Sequence, residues 1–200
     1  MKRLGLILAL FLLVGGGAVA LLPRETPPEN TRRIYLAGGC YWGVEAVYEH
    51  LKGVRNVVSG FATPVFDSTL RNAGFVETVR IDYDPGQISY DQLLEIFFLV
   101  AHDPTQVDRQ GPDVGPQYRS LVFVDDSVER KTVEEYVTTL RTRQVYPAPI
   151  ATEIAVLEHF REAPADHQDF VARNPDAPYV RNHDLPILAH LKERYSGLYR

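Results

Sequence analysis

Cysteine is scarce in this 200-residue chain, in which Cys40 is the single thiol. One thiol cannot form a disulfide within the chain, so any redox chemistry at Cys40 must be completed by another molecule. Long basic stretches are also missing and the formal net charge is −5, which argues against nucleic-acid binding. The six histidines are scattered without metal-ligand spacing. The sequence therefore predicts neither a metal site nor a nucleic-acid partner.

The N-terminal segment has the pattern of an export signal. Two basic residues precede an apolar stretch, and Ala18-Val19-Ala20 forms an A-x-A cleavage site. An uncleaved membrane anchor is the alternative, because residues 4–22 run for 19 positions without a charge. A lipoprotein anchor is excluded because this segment contains no cysteine. We expect an exported protein that is either periplasmic or anchored to the membrane and facing the periplasm.

This interpretation divides the chain into three segments. Residues 1–22 are the signal peptide or anchor, residues 23–31 a polar, proline-rich tether, and residues 32–200 one folded domain. In an oxidising compartment, single thiols are usually lost, paired or functional. Export of the domain would therefore indicate that Cys40 has a function. We expect the domain to be a monomer.

Strand and helix patterns follow one another in the folded domain without a regular period. Apolar runs and alternation predict strands at residues 34–37, 54–61, 75–83, 118–124 and 150–156. Helical spacing predicts helices at residues 41–51, 89–100, 127–143, 163–173 and 185–195. Residues 102–117 form the longest irregular segment, and long loops often carry function. This order predicts an α+β fold, a two-layer sandwich with a mixed sheet and an irregular C-terminal region.

Cys40 lies between the first predicted strand and the first predicted helix, after Gly38 and Gly39. A thiol at the first turn of a helix faces unsatisfied backbone N–H groups and the positive end of the helix dipole, which favour the thiolate. The position therefore predicts a reactive thiol. A buried, inert cysteine is the alternative interpretation of the same residue.

The segment Gly39-Cys40-Tyr41-Trp42-Gly43 resembles the GCFWG signature of the A-type peptide methionine sulfoxide reductases. Three further segments agree with that family in order and spacing. They are Gly74–Glu77, Arg109–Ser120 and His167-Gln168. The resemblance covers about residues 32–199 and implies a ferredoxin-like core. It also implies an enzyme that reduces the S epimer of protein-bound and free methionine sulfoxide to methionine, which in an exported protein would repair oxidised exported proteins.

The resemblance implies a role for each candidate site residue. A sulfoxide sulfur is electrophilic only while its oxygen is being protonated, so the reaction needs a nucleophile and an acid. Cys40 matches the nucleophile and Glu77 the general acid, with a pKa raised by a partly apolar pocket. Attack releases methionine and leaves Cys40 as a sulfenic acid. The supporting polar groups are Tyr118 and Asp113, and the substrate pocket is formed by Tyr41, Trp42 and Phe66.

The sequence departs from the family pattern on the side that holds the sulfoxide oxygen. Residues 63–73 are shorter than the corresponding segment of typical members and lack its tyrosine, leaving Phe66 as the nearest aromatic residue. Phe75 replaces the family's usual histidine two places before Glu77. Losing one hydrogen-bond donor to a developing oxyanion typically costs about 2.7–4 kcal/mol. We therefore predict a slower enzyme.

The C-terminal region carries no cysteine, so the chain resembles the single-cysteine subgroup of the family. Its sulfenic acid would need an external thiol reductant, either a thioredoxin-like protein or a low-molecular-weight thiol. We expect no bound cofactor. The partners predicted from the sequence are thus the oxidised methionine and a thiol donor.

Two other classes of function use the same residues. In the first, a non-enzymatic descendant keeps the pocket and binds oxidised methionine without turnover, as the shortened segment after Gly60 would allow. In the second, Cys40 and a histidine form the site of a cysteine hydrolase. That reading requires a histidine within hydrogen-bond reach of the sulfur.

Overall fold

The computed structural model describes residues 30–200. The predictions for residues 1–22 and for the tether up to residue 29 lie outside this range. Within it, the first strand begins at Arg32. None of the helices between residues 30 and 200 combines the length and apolar character needed to cross a membrane.

Strands and helices alternate irregularly along the described chain. The strands are β1 (Arg32–Gly38), β2 (Val54–Pro64), β3 (Val76–Tyr83), β4 (Arg109–Gln110), β5 (Asp113–Val114), β6 (Ser120–Phe123), β7 (Glu153–Ala155) and β8 (Leu157–Glu162). The α-helices are α1 (Tyr41–Glu49), α2 (Tyr90–Ile96), α3 (Ser127–Thr142), α4 (Phe170–Arg173) and α5 (Leu185–Arg194). Short π-helical turns cover Phe97–Ala101 and Val180–Asp184, and 3₁₀ turns cover Pro116–Tyr118 and Ala165–His167.

The main sheet has the strand order β7-β6-β1-β3-β2-β8. Its pairs are antiparallel except for the parallel pair of β6 and β7, so the sheet is mixed. The inner order β6-β1-β3-β2, with α1 after β1 and α2 after β3, is the ferredoxin-like βαββαβ arrangement. The predicted α+β fold is confirmed.

The two faces of β1 enter different hydrophobic clusters because successive side chains of a strand alternate. Leu36 is fully buried between the sheet and the helices, together with Val47 of α1 and Leu93 of α2. Its neighbour Ala37 belongs to a smaller cluster on the opposite face. The Tyr48 hydroxyl donates a hydrogen bond of 2.9 Å to the Leu93 carbonyl and joins α1 to α2. This packing fixes the helix that begins beside Cys40.

The irregular C-terminal half differs most from the sequence-based prediction. The predicted helix at residues 163–173 is interrupted at Asp169, whose φ of 51° lies in the left-handed region, and only α4 continues from it. The strand β8 was not predicted, because its sequence LEHFRE offers no clean apolar alternation. It is an edge strand with a largely exposed face, where charged residues are common.

Candidate active site

Cys40 is placed by a turn that only glycine accepts without strain. Gly39, between β1 and Cys40, has a φ of +99°. A Cβ atom built at Gly39 would lie 2.5 Å from the side chain of Gln110. The glycine therefore lets the β4–β5 hairpin approach the turn. Cys40 is the N-cap residue of α1 and a partly buried, free thiol.

Glu77 of β3 reaches the same helix start. Its Oε2 accepts a 3.1 Å hydrogen bond from the backbone N–H of Tyr41. Burial raises the pKa of Glu77 to about 7, the Tyr41 N–H opposes this shift, and the negative charge of Asp113 adds to it. The carboxyl group therefore exists in both protonation states near neutral pH, as a general acid requires.

The resting Cys40 thiol is protonated. Burial raises its pKa most, the charge of Glu77 adds to the increase, and the backbone N–H of Trp42 opposes it. The carboxylates of Asp184 and Asp113 raise it further. Burial and the surrounding carboxylates therefore oppose the preference for the thiolate that the helix start creates. Loss of the thiol proton is coupled to neutralisation of the carboxylates around it.

An aromatic wall extends from the first turn of α1. Trp42 stacks on Phe170 with ring centroids 3.7 Å apart, and the edge of Tyr179 meets its ring at 5.8 Å. The Tyr41 hydroxyl shares a 2.7 Å hydrogen bond with Nδ1 of His167. These contacts hold two of the three predicted pocket residues, Tyr41 and Trp42, on a rigid element, where a substrate methyl group can pack against apolar surface.

A second aromatic contact chain brings an unpredicted residue to the site. Phe61 of β2 packs edge-to-face on Tyr41, and Phe75 packs edge-to-face on Phe61, both with centroids 5.6 Å apart. Phe75 remains 54% exposed. The residue that stands in the place of the family's histidine thus contributes apolar surface beside the wall.

Asp113 and Tyr118 approach the thiol from the loop that was predicted to be functional. The Tyr179 hydroxyl donates a hydrogen bond to Oδ2 of Asp113. Burial raises the pKa of Tyr179, and the neighbouring charges of Cys40 and Asp113 raise it further. Tyr118 is half-buried, and its pKa is raised by burial and then by the charge of Glu77. Both predicted polar residues therefore lie close to the Cys40–Glu77 pair.

Phe66 is the predicted site residue that the structure does not bring to Cys40. It lies in the segment after β2 and is 58% exposed. Within residues 30–200 it takes part in none of the aromatic contacts of the wall. The other six converge on the N-terminal turn of α1: Cys40, Tyr41, Trp42, Glu77, Asp113 and Tyr118.

A cavity of about 180 Å³ opens beside Cys40. Gln110 and Asp113 of the hairpin line it, together with Tyr179 and Asp184 from the C-terminal region. Sequence reasoning missed Tyr179 and Asp184 as site residues. Each lies far from the motif along the chain, and only the packing of the last helical segments brings it to Cys40.

The histidines do not supply a base for Cys40. His102 is buried, and its ring nitrogens lie 2.9 Å from the Phe97 carbonyl and 2.7 Å from the Ser120 hydroxyl. Burial lowers its pKa to about 4. His183 lines the cavity, but among the described residues no histidine hydrogen-bonds the Cys40 sulfur. Residues 30–200 also contain no group of side chains suited to a metal ion. The histidine base that the cysteine hydrolase hypothesis requires is therefore missing from the described residues.

The sequence matches known proteins along most of its length. A family model described as peptide methionine sulfoxide reductase matches residues 32–197. The protein called peptide methionine sulfoxide reductase MsrA 2 of Mesorhizobium japonicum is 42% identical over 184 residues, which cover 89% of this chain and 94% of that protein. The protein of the same name from Synechocystis is also 42% identical and covers 89% of this chain and 86% of its own length. Neither name indicates an inactive form.

Solved structures share the fold. Methionine sulfoxide reductase A of Corynebacterium diphtheriae superposes with a TM-score of 0.60 at 32% identity, over 74% of this chain and 76% of that one. Reduced Mxr1 from Saccharomyces cerevisiae superposes with a TM-score of 0.65 at 27% identity, over 76% of this chain and 91% of that one. The similarity in sequence and in fold thus covers the whole region around Cys40.

Proposed function

The chain belongs to the peptide methionine sulfoxide reductase family and is an oxidoreductase, and we propose that it reduces methionine S-sulfoxide through a sulfenic acid on Cys40. Free and protein-bound methionine sulfoxide are the proposed substrates. The observation that carries the mechanism is the hydrogen bond from the Tyr41 N–H to Glu77, because it places a carboxyl with a pKa of about 7 at the turn that holds the thiol.

The first half-reaction transfers one oxygen atom. Neutral Glu77 donates its proton to the sulfoxide oxygen while the Cys40 sulfur, giving up its own proton, attacks the sulfoxide sulfur. The hydroxyl group then passes from the substrate sulfur to the Cys40 sulfur, and the bond between the two sulfurs breaks. The sulfur–oxygen bond of the substrate breaks, methionine leaves, and Cys40 becomes a sulfenic acid. The thiol proton restores Glu77, so atoms and charge balance. Cys40 is oxidised by two electrons and the substrate sulfur is reduced by two.

The surrounding side chains orient the substrate. The apolar rings of Tyr41 and Trp42 pack against the substrate methyl group, and the hydroxyl of Tyr118 donates a hydrogen bond to the sulfoxide oxygen. Asp113 holds the hydroxyl of Tyr179 at the edge of the site. Fixed donors of this kind stabilise negative charge on the oxygen without reorganising during the reaction.

An external thiol returns Cys40 to its reduced state. The chain has no second cysteine to resolve the sulfenic acid, so the donor is a thioredoxin-like protein or a low-molecular-weight thiol. Yeast Mxr1 has been solved in complex with Trx2, which supports the first kind of donor. We further propose that residues 1–22 direct the domain out of the cytoplasm or anchor it, where it repairs oxidised exported proteins.

A single-turnover experiment tests the function. The protein is mixed with a methionine sulfoxide peptide in the absence of any other thiol. The amount of reduced peptide formed and the mass of the protein are then measured. We expect one methionine per chain and one added oxygen atom on Cys40. Cys40→Ser should release none. Binding of the peptide without release of reduced product would show a non-enzymatic binder and overturn the proposal.

A further inference from the structure

The cavity beside Cys40 has a different lining from the group of side chains assigned to the sulfoxide oxygen. Glu77 and Tyr118, which act on the sulfoxide oxygen, do not line the cavity beside Cys40, and neither do the rings of Tyr41 and Trp42. The cavity instead opens between the first turn of α1 and the C-terminal region. It is a route to the sulfur that shares Asp113 and Tyr179 with the residues assigned above to the first half-reaction.

Asp184 is the buried ionisable group of this cavity without an assigned role. It is the last residue of the π-helical turn Val180–Asp184 and is 3% exposed. Its Oδ2 is buried and has no hydrogen-bond partner among the described residues. A Cβ atom on Gly43 would lie 2.6 Å from its Oδ1, so the carboxyl packs against the first turn of α1. A buried carboxyl without a partner is costly, and such cost is common where a group serves a reaction.

Burial, more than the neighbouring charge, makes Asp184 a proton acceptor near neutral pH. Burial raises the pKa of Asp184 to about 7, and the carboxylate of Asp113 adds to the increase. The carboxylate of Asp184 in turn raises the pKa of the Cys40 thiol. The two groups therefore lie within electrostatic reach of each other across the cavity.

Reduction of the sulfenic acid requires a thiol to reach the Cys40 sulfur from a particular direction. A thiol displaces hydroxide from divalent sulfur in line with the sulfur–oxygen bond, so it approaches away from the oxygen. The oxygen arrives from the side of Glu77. Building on the sulfenic acid mechanism above, we propose that the thiol of the external reductant enters the cavity and that Asp184 accepts its proton as it attacks Cys40.

The proposed step balances. The thiol sulfur forms a bond to the Cys40 sulfur, the sulfur–oxygen bond breaks, and the oxygen leaves as water with a proton from Glu77. Asp184 holds the proton of the thiol and returns it to solvent, from which Glu77 is reprotonated. A second thiol then attacks the mixed disulfide, restores the Cys40 thiol and leaves as the oxidised donor. Two thiols are oxidised for each sulfenic acid reduced.

Two small thiols of different acidity distinguish a role of Asp184 as proton acceptor from a purely structural role. Each protein is first oxidised to completion with methionine sulfoxide and freed of it. Reduction of Cys40 is then followed by mass at mildly alkaline pH with mercaptoethanol, which is mostly protonated, or with trifluoroethanethiol, which is mostly ionised. An ionised thiol needs no base. Asp184→Asn should therefore slow the reduction of Cys40 by mercaptoethanol by about 10²-fold. The rate of reduction by trifluoroethanethiol should change by less than about twofold.

Two variants complete the design. Asp184→Glu keeps a carboxyl and should recover part of the rate with mercaptoethanol. Glu193→Gln makes the same chemical change at an exposed position of α5 and should react like the unchanged protein. Reduced thioredoxin is a third donor, whose nucleophilic thiol has a pKa of about 7 and is largely ionised at this pH. Like trifluoroethanethiol, it should therefore reduce Asp184→Asn at nearly the rate of the unchanged protein.

The outcomes distinguish this proposal from the proposed function. Equal slowing with both small thiols, or no slowing with either, would overturn the role of Asp184 while leaving the reductase activity intact. Absence of methionine release and of Cys40 oxidation in the unchanged protein would instead refute the sulfenic acid mechanism itself.

Discussion

At the scale of single residues, the site depends on carboxyl groups whose protons are easily moved. Glu77 and Asp184 both have pKa values raised to about 7, and the charges of both raise the pKa of the Cys40 thiol. Such groups can donate or accept a proton near neutral pH. The thiol becomes nucleophilic only when it gives up its proton, which Glu77 can take once it has protonated the substrate oxygen.

Replacing Glu77 tests this dependence on a proton. Glu77→Gln should lower the single-turnover rate by about 10²-fold or more, because the amide cannot protonate the sulfoxide oxygen. In the unchanged protein the rate should fall as the pH rises above about 7, since the raised pKa of Glu77 means that its proton is lost there. Rapid-quench measurement of methionine release checks both effects, with Glu134→Gln on exposed α3 as control. A rate within twofold of the unchanged protein would exclude Glu77 as the acid.

Glu45 on α1 gives a prediction about stability. It is 1% exposed, burial raises its pKa from 4.5 to about 7, and its Oε1 accepts a hydrogen bond from the Ser59 N–H. The folded state prefers the neutral acid, so its contribution is present below about pH 4.5 and is lost as the pH rises through about 7. Glu45→Gln should therefore gain on the order of 2 kcal/mol relative to the unchanged protein between these values. Urea unfolding across that range measures the gain, and a constant difference at every pH would contradict it.

At the scale of elements, apolar spacing predicted the elements of the catalytic pair, the family resemblance supplied Asp113 and Tyr118 on the loop, and the C-terminal part of the site was missed. Apolar spacing gave α1 and β3, and these elements carry Cys40 and Glu77. Tyr179 and Asp184 were missed, because their position depends on how the irregular C-terminal segments pack on α1. The interruption at Asp169 was also missed, since left-handed backbone at a non-glycine residue leaves no clear sequence signal. Local periodicity predicts helices and strands, whereas the cavity depends on how these elements pack against one another and so was not predicted.

Arg119 connects two irregular segments to the sheet. Its buried guanidinium donates hydrogen bonds to the carbonyls of Asn72, Gly74 and Pro116 at 2.8–2.9 Å, and its Nε lies 3.4 Å from a carboxylate oxygen of Glu153. The segment before β3 and the turn that carries Tyr118 thus share one anchor.

Arg119→Lys should destabilise both segments, because an ammonium group cannot span three carbonyls and its own burial remains costly. We expect a loss of about 3 kcal/mol in the free energy of unfolding, with slower methionine release from a displaced Tyr118. Urea unfolding and single-turnover kinetics measure the two effects. Arg143→Lys, at the exposed end of α3, is the matched control. Equal stability of the two variants would show that Arg119 does not anchor these segments.

At the scale of the whole molecule, we expect the resting site to react slowly with oxidants other than its substrate. Oxidants attack the thiolate in preference to the thiol. Burial and the surrounding carboxylates raise the pKa of Cys40, so the resting site resists unspecific oxidation. A bound sulfoxide takes a proton from Glu77 and becomes electrophilic, so the Cys40 sulfur reacts with it. The site can therefore remain reduced where most single thiols do not.

The proposed export of the protein rests on the pattern of its first residues and is open to a direct test. Expressed in a bacterium, the full chain should appear in the periplasmic or membrane fraction, because residues 1–22 have the pattern of an export signal or anchor. Cleavage after Ala20 would remove residues 1–20 from the measured mass, whereas an anchor would leave the mass intact and the protein in the membrane fraction. A chain that begins at residue 30 should stay in the cytoplasm and keep full activity, since every site residue lies between Cys40 and Asp184. Retention of the full chain in the cytoplasm would exclude export, and the protection of the Cys40 thiol would then need another explanation.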